Sequence, residues 1–109
     1  MSRSNDDLTI SIEADGHTVA SAEVRPAGPP GVVHSDLHVE SGHVPGGTRT
    51  RLVDAVLEHP RVDEAQRLLA TMPLGDTEML DRVRQRCRDV HAHAAGATKI
   101  VEARLDHRR

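Results

Sequence analysis

The stretch Leu8-Thr9-Ile10-Ser11-Ile12-Glu13-Ala14 alternates apolar and polar residues with period two, and Asp15-Gly16 follows it at once. Such alternation sets one face of an extended strand on a core and the other toward water, and Asp-Gly is a favoured two-residue hairpin turn. His17 to Val24 is then the returning strand. A chain that opens on a hairpin with one apolar face must build a covered sheet, so a helical bundle is excluded.

The next punctuation is PAGPPG, Pro26 to Gly31, which breaks the pattern before a third strand, Val32 to Val39. Its alternation places Val33, Leu37 and Val39 on one side. After PGGTRT, residues 45–50, the period changes: Leu52, Val53, Val56 and Leu57 form one helical stripe that stops at His59-Pro60. Arg67 to Met72 is short and nearly continuously apolar, as expected of a strand covered on both faces. Asp76 is placed to cap a second helix, whose apolar face is Met79, Leu80, Val83 and Cys87. Val90 to Ala94, a turn at Ala95-Gly96, and Thr98 to Leu105 read as a closing hairpin, with a helix extended to about Ala94 as the competing reading. The expected fold is therefore α+β: a mixed, mainly antiparallel sheet with two helices in the order βββαβαββ. It occupies one domain, 8–105, between a disordered polar tail at 1–7 and a basic tail at 106–109.

At 109 residues one core is all the chain can form, and it must do so without Phe, Tyr or Trp. The formal charge of −3 offers no footprint for nucleic acid, and there are no rings to stack on bases. The lone Cys87 cannot form an internal disulfide, and no run of residues has membrane-spanning length. The expectation is a cytoplasmic protein with neither nucleic-acid nor membrane partners.

PGGTRT suits a phosphate as well as a plain helix entry. A helix N-terminus leaves backbone N–H groups unpaired and carries partial positive charge, and glycine lets an anion approach the backbone closely. The motif is neither a Walker A loop nor GxGxxG. Together with the order of elements it resembles the GNAT (N-acetyltransferase) superfamily. In that family a strand ending in a Val-x-Pro-like stretch runs into an Arg-Gly-x-Gly-x-Gly turn and a helix with leucine at fixed spacing. Aligned without a gap, Val39 takes the strand-end valine, Gly47 the first glycine of the essential pair and Leu52 the helix leucine.

Two positions depart from the family pattern: Val44 stands where it has Arg or Gln, and Arg49 where it has the second glycine. LLATMPLGD and TEMLDRVRQR are similar to the family's next strand, loop and helix, with Val83 at about the place of a tyrosine that protonates the departing thiolate in many members. The resemblance covers 8–105 and lacks the family's usual first strand and the two helices after it. It implies a minimal acetyltransferase-like domain that binds acetyl-CoA as co-substrate, through Val39 and the turn Gly46, Gly47, Thr48, Arg49 and Thr50, and passes the acetyl group to an amine. The alternative is a non-catalytic interaction domain that keeps the fold and forms a homodimer through its uncovered sheet face.

His34, Asp36 and His38 project from one face of the third strand and are the candidate bases for an amine. HxDxH also has the spacing of a zinc site, but polar-out alternation explains it better, and no metal is expected even with His17, His43, His91 and His93 added. Arg82 and Arg86 share a helix face while Arg84 and Arg88 point elsewhere, the pattern of a solvated, salt-bridged surface. Cys87, on an apolar face, reads as buried rather than nucleophilic.

Overall fold

The computed structural model describes residues 8–42 and 44–105; the two expected tails and His43 lie outside the described residues. β1 (Leu8–Ala14) and β2 (His17–Pro26) pair antiparallel around Asp15-Gly16, whose φ angles of 53° and 84° give the left-handed backbone that a two-residue hairpin needs. A bulge between Ile12 and Glu13 shifts the register. Accordingly the neighbours Val19 and Ala20 on β2 are both buried, which strict alternation would forbid.

β3 (Val32–Val39) runs antiparallel to β2 and parallel to β4 (Arg67–Pro73), and the closing hairpin of β5 (Arg88–Ala95) and β6 (Thr98–Arg104) completes a six-stranded sheet in the order β1-β2-β3-β4-β6-β5. The closing turn falls at Gly96-Ala97, with Ala95 opposite Thr98, one residue later than the composition suggests. The expected α+β class and mixed, mainly antiparallel sheet are thus present.

Among the described residues three helices accompany the sheet rather than the expected two. α1 (Thr48–Glu58) ends where Pro60 forbids its continuation, and the same proline then starts α2 (Pro60–Asp63) at its first position, where a missing N–H does no harm. The His59 Nδ1 accepts the Arg61 backbone N–H at 3.1 Å and caps that single turn. α3 (Glu78–Arg86) buries Met79 and Val83 but stops one residue before Cys87, which caps it and is half-buried against the core. The Met79 N–H reaches Asp76 Oδ1 at 2.9 Å, the cap expected of Asp76.

α1 and α3 lie on the same side of the sheet and touch each other. Leu52, Val53 and Val56 of α1 are essentially inaccessible, packed with Val24, Leu37, Leu68, Met72 and Val101 into one aliphatic core. Each such side chain contributes about 2 kcal/mol by removing apolar surface from water. A clamp of charge ties the helices together: Asp54 of α1 accepts Arg82 Nε and Nη2 at 2.8 and 2.9 Å and Arg86 Nη1 at 2.7 Å. Hydrogen bonding from Arg82 holds the Asp54 carboxyl below its ordinary pKa, despite partial desolvation.

The other sheet face has no helix over it among the described residues. It presents Glu23 and Arg25 of β2, His34, Asp36 and His38 of β3, Leu69 and Thr71 of β4, Ile100 and Glu102 of β6, and His91 and His93 of β5. β4 is therefore covered on one face, not two: Leu68, Ala70 and Met72 are buried, while Leu69 and Thr71 are half-buried on the open side.

Candidate functional site

The parallel pairing of β3 with β4 stops at Asp36 opposite Thr71. Beyond that pair no backbone register joins the two strands among the described residues, although β3 continues to Val39 and β4 to Pro73. A strand edge with unpaired N–H and C=O groups is a ready template for an extended ligand. The gap opens into a cleft of about 380 Å³ lined by Val39, Arg49, Pro73, Gly75, Asp76, Thr77 and Glu78.

One wall of this cleft comes from the start of α1. Gly47 is its N-cap with φ 83°, a left-handed conformation that favours glycine, and no side chain caps the helix. The first-turn amides thus have no side-chain acceptor. Thr48 turns inward, 2% exposed, and its hydroxyl donates to the Pro45 carbonyl at 2.6 Å, which pins the turn. The Thr50 hydroxyl donates to Glu78 Oε2 at 3.3 Å.

Arg49 has a definite partner. Its Nε donates to Asp76 Oδ2 at 2.8 Å, and the Asp76 side chain is only 5% exposed. Asp76 therefore joins the N-terminus of α1 to that of α3, since its other oxygen caps α3. The terminal guanidinium nitrogens of Arg49 make no hydrogen bond among the described residues. The loop carrying Asp76 is held from beneath by Lys99, a side chain 6% exposed whose Nζ donates to the Asp76 carbonyl, and by Leu74 N–H to Ala97 O at 3.1 Å. The α3 wall carries Glu78 in its first turn, favourable to the helix dipole but not to a bound anion, so the α1 side is the cationic side of the cleft.

At the point where the strands part, the open face holds a polar cluster. His34 Nε2 lies 3.0 Å from Thr71 Oγ1 and 3.4 Å from Asp36 Oδ1, and Asp36 Oδ2 accepts Arg25 Nη2 at 2.8 Å. Arg25 also reaches Glu23 at 2.7 Å, and these two carboxylates, Asp36 first, raise its pKa. His34 and Asp36 are thus brought together. His38, two residues on and on the same face, is exposed beside the unpaired edge, and its side chain makes no hydrogen bond or ion pair among the described residues. The face of β3 that bears the three residues is the open one, opposite buried Val33, Leu37 and Val39.

The partners Arg25 and Thr71 are not singled out by local sequence, and Asp76 is singled out only as a helix cap. Arg25 and Thr71 follow only from strand register, and nothing local links position 49 to position 76. Val83 is buried in the core, so the place of the family tyrosine holds no proton donor. Cys87 is half-buried, and desolvation pushes its thiol up to about 11, which makes it a poor nucleophile. No group of three His, Cys, Asp or Glu residues is placed to hold a metal ion among the described residues. Nor does any helix among them have the length and apolarity to cross a membrane.

No family sequence model and no curated protein matches the chain. Solved structures do. The ribosomal-protein-alanine N-acetyltransferase of Brucella melitensis superposes with a TM-score of 0.63 at 15% identity, over 90% of this chain and 67% of that one. A putative acetyltransferase of Salmonella typhimurium, solved with its cofactor acetyl-CoA, gives 0.65 at 10% identity, over 94% and 65%. A Bacillus subtilis acetyltransferase in complex with CoA gives 0.62 at 12%, over 93% and 77%.

The chain has a GNAT-like fold. It spans about two thirds of the length of the first two structures it matches. At these identities the likeness is one of backbone. The GNAT-like core here comprises β1 to β6 with α1 and α3, as the order of elements implies.

Proposed function

We propose that this GNAT-like domain binds acetyl-CoA in the cleft between β3 and β4 and passes the acetyl group to an amine. The supporting observation is the conjunction, in one cleft, of an unpaired strand edge ending at Val39 and the uncapped, glycine-turned N-terminus of α1. The Thr48 N–H is taken by the Pro45 carbonyl at 3.2 Å, so the amides of Gly46, Gly47, Arg49 and Thr50 are the ones that face the diphosphate, and Arg49 takes over part of the second glycine's role. Asp76 occupies its Nε and orients the guanidinium, leaving the terminal nitrogens for a phosphate oxygen. Two structures of the same fold were solved with acetyl-CoA and with CoA, which supports the choice of co-substrate.

The pantetheine arm pairs with the free edge of β3 at Val39 and brings the thioester to the gap beyond Asp36 and Thr71. The acceptor enters from the open face. Its nitrogen attacks the thioester carbonyl carbon, the C–N bond forms as the C–S bond breaks, and the amine proton passes to a base. His38 is the base the geometry favours, because it stands at the gap and is not engaged; Asp36 and His34, tied to Arg25 and Thr71, hold the acceptor. With Val83 buried and no tyrosine in the chain, water protonates the thiolate.

Isothermal titration with acetyl-CoA and with CoA tests the reading, repeated on Arg49→Glu. Saturable binding that the substitution weakens by about tenfold or more supports it. Absence of heat at millimolar ligand would reduce PGGTRT to a helix start.

A further inference from the structure

Strand register sets Arg67 of β4 opposite Arg104 of β6, and Arg104 opposite Arg88 of β5. Like charges directly opposite one another in adjacent strands destabilise a sheet, so folding alone does not explain three guanidiniums in one row. Two carboxylates answer them incompletely. Arg67 Nη1 lies 3.5 Å from Glu102 Oε2 and Arg104 Nη1 lies 3.6 Å from Asp89 Oδ2, long contacts between side chains that are all more than 40% exposed. Arg67, Arg104, Glu102 and Asp89, with His91, line a depression of about 230 Å³ separate from the cleft; Arg88, opposite Arg104, adds its charge from outside that lining.

The row lies at a fixed distance from the chemistry. Arg67 is four residues before Thr71 on β4, the residue opposite Asp36 where the strands part, which is about 13 Å of extended strand. Between the two ends the same face carries Leu69, and Ile100 of β6 stands opposite Thr71 at the far end; both are half-buried apolar side chains in an otherwise polar surface.

We infer that the Arg67–Arg104–Arg88 row binds the carboxylate of an elongated acceptor whose amine sits at the Asp36–Thr71 end. This rests on the acetyl-transfer reading. A free peptide of about four residues has the required span between its amino and carboxyl ends. Its apolar side chains rest on Leu69 and Ile100, and its terminal carboxylate meets the surplus guanidinium charge.

The test uses the full chain and two probes, tetra-alanine with a free carboxyl end and the same peptide amidated. Binding is followed by calorimetry and by backbone amide shifts in β4 and β6. The free acid is expected to bind about tenfold more tightly than the amide, with the difference abolished in Arg104→Gln and Arg67→Gln. Equal affinities, or no shift at either arginine, overturn the inference. Acetyl-CoA titrated into the same samples separates the two claims: bound CoA without a carboxylate preference removes only the acceptor site. A carboxylate preference without CoA binding leaves the arginine row as an anion site and removes the acetyl-transfer reading.

Discussion

Replacing Arg49 with alanine separates a residue that merely sits in a turn from one that ties two helices together. Asp76 is 5% exposed and accepts two hydrogen bonds, from Arg49 Nε at 2.8 Å and from Met79 N–H at 2.9 Å. The substitution leaves a nearly buried carboxylate with one backbone donor. Breaking a fully buried pair costs about 3–5 kcal/mol, but the Arg49 side chain is 33% exposed and water reaches it, so the lower range of a charged hydrogen bond applies, about 2 kcal/mol. For a domain of this size that lowers Tm by about 10 °C.

Far-ultraviolet circular dichroism in urea is the assay, because the chain has no aromatic fluorophore. Asp76→Asn keeps an oxygen for the Met79 N–H and loses the charge, and the double variant completes a cycle with an expected coupling of about 1 kcal/mol. A loss for Arg49→Ala of less than about 0.5 kcal/mol, the range of an ordinary surface substitution, would refute the strut between α1 and α3.

Gly47→Ala forces a Cβ into a backbone with φ 83° and is expected to destabilise by about 1 kcal/mol, measured by the same unfolding assay, even though nothing obstructs the added atom. Asp54 has a lowered pKa in the folded state, so its contribution is full above the ordinary aspartate range near about pH 4 and is lost as pH falls through the folded value; urea titrations below about pH 4 should show wild-type stability falling more steeply than that of Asp54→Asn. With its thiol at about 11, Cys87 should react with iodoacetamide at pH 8 roughly two hundred-fold more slowly in the native protein than in urea. If His38 is the base, His38→Ala lowers acetyl transfer by about a hundredfold while calorimetry shows unchanged acetyl-CoA affinity.

What was legible in the sequence is what short-range periodicity encodes. Leu8 to Val24 announced its hairpin because alternation and Asp-Gly agree, and the stripe Leu52 to Leu57 announced α1. The order of elements together with the PGGTRT turn then carried the GNAT resemblance. Where two signals share a residue, reading fails: Pro60 both ends α1 and begins α2, and a proline that stops one helix does not reveal whether another starts. Leu68-Leu69 looked like a strand buried twice over, yet only the fold reveals that the second leucine faces an open side. At the candidate site, Gly47 and the succession of elements around it are local and were legible. The partner of Arg49 lies 27 residues away and is fixed by where the β4–α3 loop lands, information that no window of sequence contains.

The strand order also divides the sheet into two leaves of three antiparallel strands each. Residues 8–39 form one leaf and 67–104 the other, each continuous in sequence apart from the α3 segment. Only five register pairs, Val32 to Asp36 with Arg67 to Thr71, stitch them by backbone. Hairpin contacts close early and cheaply in a folding chain, whereas this seam must wait for a long intervening segment to bring the leaves together. It is the natural line of sub-global opening, and its amides should exchange hydrogen faster than those in the middle of either leaf. Any molecule lodged between β3 and β4 would act as an additional stitch and tie the two leaves into one cooperative unit.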